Sequence, residues 1–160
     1  IECVEGKAVG REVLGQVLLA QRAPLLIARG NEGRLTGPAA IAWDGSREAG
    51  RAVRAAVPPL RDASSVTILQ HRSGLETGSA DPDPARLNAY LELHGVPTAT
   101  LQAVDDGSEG EALVAAAHAL KADILVAGAW GHARLRETLF GGATRSLLAD
   151  REGPSLLLAH

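Results

Sequence analysis

From residue 37 onward, short unbroken apolar runs alternate with longer segments whose apolar residues recur every three to four positions. The runs at 39–43, 66–69, about 98–104, 124–127 and 156–159 predict strands. The periodic segments between them predict helices. The first carries Ala49, Ala52, Val53, Ala56, Val57 and Leu60 on one face, starts at the cap residue Ser46, and meets Pro58 and Pro59, which are expected to disrupt its end. Asp83 followed by Pro84 opens a second helix, with Leu87, Tyr90, Leu91 and His94 on its inner face and Gly95 as its stop. Ser108 and Glu111 form a capping-box pattern ahead of Leu113, Ala116, Ala117 and Leu120. A fourth helix is expected from about residue 142 to 151, broken by Gly153 and Pro154. Residues 71–82, rich in Ser, Gly, Asp and Pro, read as a loop.

Several of these strands are apolar throughout rather than alternating. That is the pattern of strands buried on both faces, as in a parallel sheet with helices on each side. The expected fold is therefore a five-stranded, doubly wound α/β domain built from parallel strands joined by helical crossovers.

Residues 1–30 stand apart. Leu18-Leu19-Ala20, then Pro24, then Leu25-Leu26-Ile27-Ala28 echo Leu147-Leu148-Ala149, Pro154 and Leu156-Leu157-Leu158-Ala159. Both read helix, proline, apolar strand, as a repeat would. On this reading 1–30 is the closing helix and strand of a preceding repeat, 31–36 a linker and 37–160 the domain. A second alignment, of residues 4–28 with 104–127, places the segment one unit earlier; Pro24 favours the first. Chance similarity of two Ala/Leu-rich stretches is the third reading. A segment that cannot form its own core must dock; in the strand order implied by the family resemblance given below, 156–159 is a sheet edge, and strand 25–28 is expected to pair antiparallel with it, within the chain or between copies.

Composition narrows the chemistry. A net charge of −3 with no basic stripe argues against a nucleic-acid partner, and the scarcity of aromatic residues argues against stacking on single strands. No apolar run is long enough to span a bilayer. The single cysteine, Cys3, suits a reducing, cytoplasmic setting. Neither Cys3 nor His71, His94, His118 and His160 show metal-ligand spacing, so no metal site is expected. With no methionine anywhere, the chain reads as a piece of a longer protein.

The chemical signal lies after the strand at 124–127. Gly128 and Gly131 follow it, and Gly141 and Gly142 open the next helix. A strand, a glycine-punctuated loop and a helix N-terminus are the parts that cradle a phosphate. Within the loop, His132 and Arg134 are candidate phosphate contacts; the plainer reading of Arg134 and Arg136 is solvation or pairing with Glu137. Trp43 reads as core, and Trp130 as core or a lid. Thr138 and Thr144 carry hydroxyls nearby.

These residues resemble the universal stress protein family. The resemblance rests on Asp44-Gly45-Ser46 after the first strand, on the spacing of Gly128, Gly131 and Gly141 after the fourth, and on Pro154 before the last. It covers residues 37–160, with 1–30 similar to the tail of a first repeat in a tandem member. The resemblance implies a three-layer, flavodoxin-like sandwich of the adenine nucleotide alpha hydrolase type, in strand order 3-2-1-4-5. The ligand crevice would lie between strands 1 and 4, where the order reverses. It implies a stress-response module holding an adenine nucleotide, ATP or AMP, with or without Mg²⁺. Asp44 would accept from the adenine edge, Gly128 and Gly131 would lie against ribose and phosphate, and Gly141, Gly142 and Thr144 would contact phosphate. The family pattern has Ser or Thr where this chain has Gly142, so one hydroxyl is missing. The alternative is the same fold without nucleotide, acting as a dimerising interaction module. With no P-loop and no catalytic histidine pair, slow ATP hydrolysis is the most that is expected.

Overall fold

The computed structural model describes residues 16–20, 22–29, 35–71, 75, 82–129 and 142–160. Its elements are β1 (Leu25–Ile27), β2 (Pro38–Ala42), α1 (Arg47–Arg61), β3 (Ser65–Gln70), α2 (Pro84–Leu93), β4 (Thr100–Ala103), α3 (Glu109–Ala119), β5 (Ile124–Gly128), α4 (Gly142–Ala149) and β6 (Ser155–Ala159), preceded by a π-helical turn at Gln16–Ala20.

The strands form one sheet in the order β1-β6-β5-β2-β3-β4. The five from β2 to β6 are mutually parallel. Counted from β2, their order is the expected 3-2-1-4-5. The sheet nonetheless has six strands rather than five, because β1 adds to the free edge of β6 as its one antiparallel neighbour. An exposed apolar edge leaves backbone donors and acceptors unpaired, and β1 satisfies them.

Side-chain alternation sorts the core into two layers. Ala39, Ile41, Ile124, Val126, Leu157 and Ala159 join Ala52, Val53, Ala56 and Leu60 of α1 and Leu87 and Leu91 of α2 in one buried cluster. Ala40, Leu125, Ala127, Leu156 and Leu158 join Leu113, Ala116 and Ala117 of α3, Leu147 of α4, and Leu18 in the other. Apolar residues thus face both ways along the central strands, which explains their unbroken apolar runs.

The helix boundaries follow local chemistry. The Ser46 hydroxyl accepts from the Ala49 N–H at 3.1 Å, and all six predicted inner-face residues of α1 are buried. Pro58 and Pro59 do not disrupt α1, which runs on to Arg61. Their missing N–H groups fall in the last turn, where burial of Val57 and Leu60 holds the helical path. The Asp83 side chain caps α2 through the Ala85 N–H at 2.9 Å. In α2 Leu87 and Leu91 are buried while Tyr90 is only partly so, and Gly95, at φ +73°, ends the helix region as anticipated. The Ser108–Glu111 capping box is formed, and its hydrogen bonds hold the Glu111 carboxyl below the usual range. α4 is shorter than expected, ending at Ala149.

The end of α4 is closed from outside. The Arg29 guanidinium donates to the Leu147 carbonyl at 3.1 Å and to that of Leu148 at 3.4 Å. A cation there complements the helix C-terminus and satisfies carbonyls that lack helical partners. Burial lowers the Arg29 pKa from the usual arginine value, and the nearby charge of Asp150 opposes that shift. Asp150 also meets His118 of α3 at 2.9 Å. The Arg29 backbone N–H donates to the Ser155 hydroxyl at 3.1 Å, which fastens the segment after β1 to the start of β6.

Candidate functional site

Strand connections leave β2 and β5 in opposite directions. β2 passes through α1 to β3 on one side, while β5 passes through α4 to β6 on the other. Neighbouring parallel strands whose connections diverge open a crevice at their carboxyl ends. Ala42 of β2 stands opposite Ala127 of β5, so the Asp44 turn and Gly128 emerge side by side on that rim.

The Asp44 turn is tightly made. Asp44 Oδ1 accepts from the Ser46 N–H at 2.9 Å, Gly45 takes φ +74°, and Ser46 then caps α1. This bond fixes the carboxylate in the turn, partly buried, at the mouth of the crevice. The adjacent Trp43 anchors its backbone to the Leu69 carbonyl at 2.9 Å and lays its indole partly buried on the first core cluster. Its buried indole N–H finds no acceptor among the described residues. Such a donor is costly unless something else accepts from it.

Gly128 has a structural reason to be glycine. A Cβ built on it would lie 2.6 Å from the Ala49 nitrogen and 3.0 Å from the Glu48 carbonyl carbon. The first turn of α1 therefore packs directly on the end of β5, and a side chain at 128 would push the Asp44 turn away. Gly142 differs. A Cβ there would meet nothing within 4 Å among the described residues, and its φ is not in the left-handed region. Thr144, in the first turn of α4, is buried. Behind the rim, Ala129 is held to β6 by its N–H to the Ala159 carbonyl at 2.8 Å, and its own carbonyl meets His160 Nδ1 at 2.9 Å.

Of the predicted site residues, Asp44 and Gly128 lie together on this rim, and Gly142 and Thr144 open the helix that descends from it. Gly131, Gly141, His132 and Arg134 lie outside the described residues, as do Trp130, Arg136, Glu137 and Thr138. Trp43 carries the one rim feature that residue type did not announce. An apolar strand end followed by Asp-Gly was its only signal, and that does not tell an exposed indole from a buried one.

No protein-family model matches the chain, and no curated protein matches it. Solved structures do. A UspA universal stress protein from Lactobacillus plantarum superposes with TM-score 0.58 at 14% identity, covering 78% of this chain and 98% of its own. A universal stress protein from Archaeoglobus fulgidus gives TM-score 0.63 at 16% identity, over 86% of this chain and 50% of its own. A universal stress protein solved in complex with cAMP gives TM-score 0.57 at 25% identity, over 78% of this chain and 96% of its own. The arrangement defines the class of doubly wound α/β proteins with a switch-point crevice. Within that class the chain is UspA-like: it has the universal stress protein fold.

Proposed function

We propose that the chain is a stress-response module that binds an adenine nucleotide, ATP or AMP, between the Asp44 turn and the segment from Gly128 to Gly142. The observation that carries this reading is the meeting of the Asp44 turn with the end of β5 at the switch point. Three further points support it: the complex of a fold neighbour with cAMP, the indole N–H of Trp43 beside the turn, which has no acceptor among the described residues, and the start of α4 beyond the loop. In this reading Asp44 accepts from the base edge, while Gly128 and Gly131 let the backbone approach the sugar. Gly141, Gly142 and Thr144, with His132 and Arg134, form the phosphate end. Mg²⁺ would accompany a triphosphate. The setting is cytoplasmic, and any hydrolysis is slow.

Asp44→Asn tests it cleanly. The amide keeps an oxygen for the Ser46 N–H, so the unliganded melting temperature stays near that of the parent. Losing a charged acceptor costs about 1.5–3 kcal/mol of binding, or roughly ten- to a hundredfold in affinity. Thermal shift and calorimetry with ATP, ADP, AMP and cAMP measure both. No stabilisation of the parent by any of them at millimolar concentration would refute the reading, since a ligand of the folded form must raise its stability.

A second expected result concerns the missing hydroxyl. Among the described residues nothing stands within 4 Å of a Cβ at Gly142, so Gly142→Ser is expected to be accepted. One restored hydrogen bond of about 0.5–1.5 kcal/mol should tighten nucleotide binding by up to roughly tenfold, read by calorimetry. One observation favours the alternative, a nucleotide-free interaction module: helix packing alone already accounts for glycine at 128. In that case Gly142→Ser leaves calorimetry blank with every nucleotide.

The domain reading is also proposed: 1–30 as the closing helix and strand of a preceding repeat, 31–36 as linker and 37–160 as the UspA-like domain. Leu18 and Leu147, equivalent in the repeat, share one core cluster, which supports it.

A further inference from the structure

The outer face of α1 carries one sign of charge. Arg47, Arg51, Arg54 and Arg61 are all exposed, at intervals of 4, 3 and 7 residues. The helical period puts all four on one side, opposite the six buried residues of the helix. Pro58 is exposed between Arg54 and Arg61 on that same side. Glu48, the one carboxylate of α1, lies off the stripe: its Cβ is an atom that a side chain at 128 would meet at 3.0 Å. Among the described residues, no ion pair or hydrogen bond engages the guanidinium of Arg47, Arg51 or Arg54. The sequence reading expects no basic stripe; on this surface there is one. A net charge of −3 conceals it, because the arginines are spaced along a helix rather than set in a run.

Like charges one helical turn apart repel, and Arg47 with Arg51 and Arg51 with Arg54 are such pairs. Carboxylates brought by a partner would relieve that repulsion, each accepting the two-pronged donor of a guanidinium. At its far end the stripe meets an apolar residue. Arg61 Nε donates to the His94 carbonyl, which ties the end of α1 to the end of α2. Leu93, the residue before His94, is 86% exposed, more than any other large apolar residue described. Covering it would remove its apolar surface from water.

We propose that the arginine face of α1, with Leu93 at its end, is a docking surface for an acidic protein segment. That segment would carry carboxylates at helical spacing and an apolar side chain beyond the last of them. Three observations favour this class over other anions. The stripe is about 21 Å long at about 1.5 Å per residue, the length of a short helix. A nucleic-acid duplex would overrun it onto a net-negative chain, where Asp62 is exposed directly after Arg61 and Glu92 directly before Leu93. The exposed side of α1 has no aromatic residue for a base to stack on, and no large apolar residue to enter a lipid surface. The inference stands independently of nucleotide binding.

The test uses the full chain and two fluorescent helical peptides. Each carries Glu at the arginine spacing, read in one or the other chain direction, with Leu beyond the end that meets Arg61. Fluorescence anisotropy at low salt should show one of them binding roughly tenfold or more tighter than its Gln-for-Glu version. Raising the salt to about 0.5 M should remove most of that preference. Arg51→Glu with Arg54→Glu should weaken binding by roughly tenfold or more, and Leu93→Ser by about threefold. Circular dichroism and melting temperature should stay with the parent, because all three side chains are exposed. Neutral replacement, Arg51→Gln with Arg54→Gln, should give a smaller loss in the same direction. The charge-reversed variant should in turn bind a Lys-for-Glu peptide that the parent does not. Three results overturn the proposal: no preference of the parent for either Glu peptide over its Gln version, variants that bind the Glu peptide as the parent does, or tighter binding of the parent to a DNA duplex or to phosphatidylserine vesicles than to the Glu peptides.

Discussion

Gly128→Val is expected to lower the melting temperature by roughly 6–12 °C and to abolish any nucleotide response. The distances set the size. A Cβ at 128 stands 2.6 Å from the Ala49 nitrogen and 3.0 Å from both the Glu48 carbonyl carbon and Cβ. Two of those atoms are backbone of the first turn of α1, so no rotamer change relieves the clash. Either β5 or the helix start must move, and overpacking of this kind costs about 3 kcal/mol at the upper end of its usual range. For a chain of this length each kcal/mol corresponds to roughly 2–4 °C. Moving the helix start also moves Ser46 and the turn it makes with Asp44. Stability and binding should therefore fail together. Gly142→Ala is the control. Its Cβ meets none of the described residues, and alanine in place of this glycine at the first helical position should leave stability unchanged or raise it by up to about 0.5 kcal/mol. Scanning calorimetry of the two variants separates them. A melting temperature for Gly128→Val within a degree or two of the parent would mean that α1 does not rest on β5.

Leu18→Ala is expected to be comparably damaging, although residue 18 precedes the five parallel strands. Leu18 is fully buried among Leu125, Leu147, Leu156 and Leu158 of the second cluster. Truncating a buried leucine costs about 2–5 kcal/mol, from lost transfer energy and from the cavity left behind, or roughly 4–20 °C here. The effect should extend to the whole domain, because the segment from 16 to 29 is fastened at three kinds of contact: Leu18 in the core, β1 on β6, and Arg29 on the end of α4. A single cooperative transition at lower temperature is the expected thermogram. A separate early transition, with the main melt unmoved, would show that the segment detaches without cost to the rest.

The residues that were easiest to read are those whose partners lie one helical turn or one strand pairing away. The inner face of α1 followed from a 3.6-residue period and a cap at Ser46, and each of its six members is buried. The Ser108–Glu111 box needs only its own turn of helix. Even the pairing of 25–27 with β6 was legible, because similar apolar strands at an edge tend to meet, though it made the sheet six-stranded. Pro58 and Pro59 show the opposite. Local propensity breaks a helix there, but burial of Leu60 continues it. At the site, Asp44 and the glycine spacing were legible as types in a pattern. That Gly128 is required by α1, that no described residue crowds Gly142, and that the buried Trp43 indole N–H has no acceptor among the described residues were not.

Alternation of apolar runs with amphipathic segments was enough to make this chain a doubly wound α/β protein, since parallel strands need helical crossovers and both faces of the sheet need cover. The strand order implied by the family resemblance, with the similarity of 25–28 to 156–159, was enough to say which edge would be filled. Contacts between distant segments carry no such local mark. The close approach of Ala49 to Gly128, the grip of Arg29 on the end of α4 and the antiparallel register that sets Leu26 opposite Leu157 arise only when separate elements are packed to interior density. Periodicity says which side of an element is buried; what it is buried against depends on how the whole chain comes together.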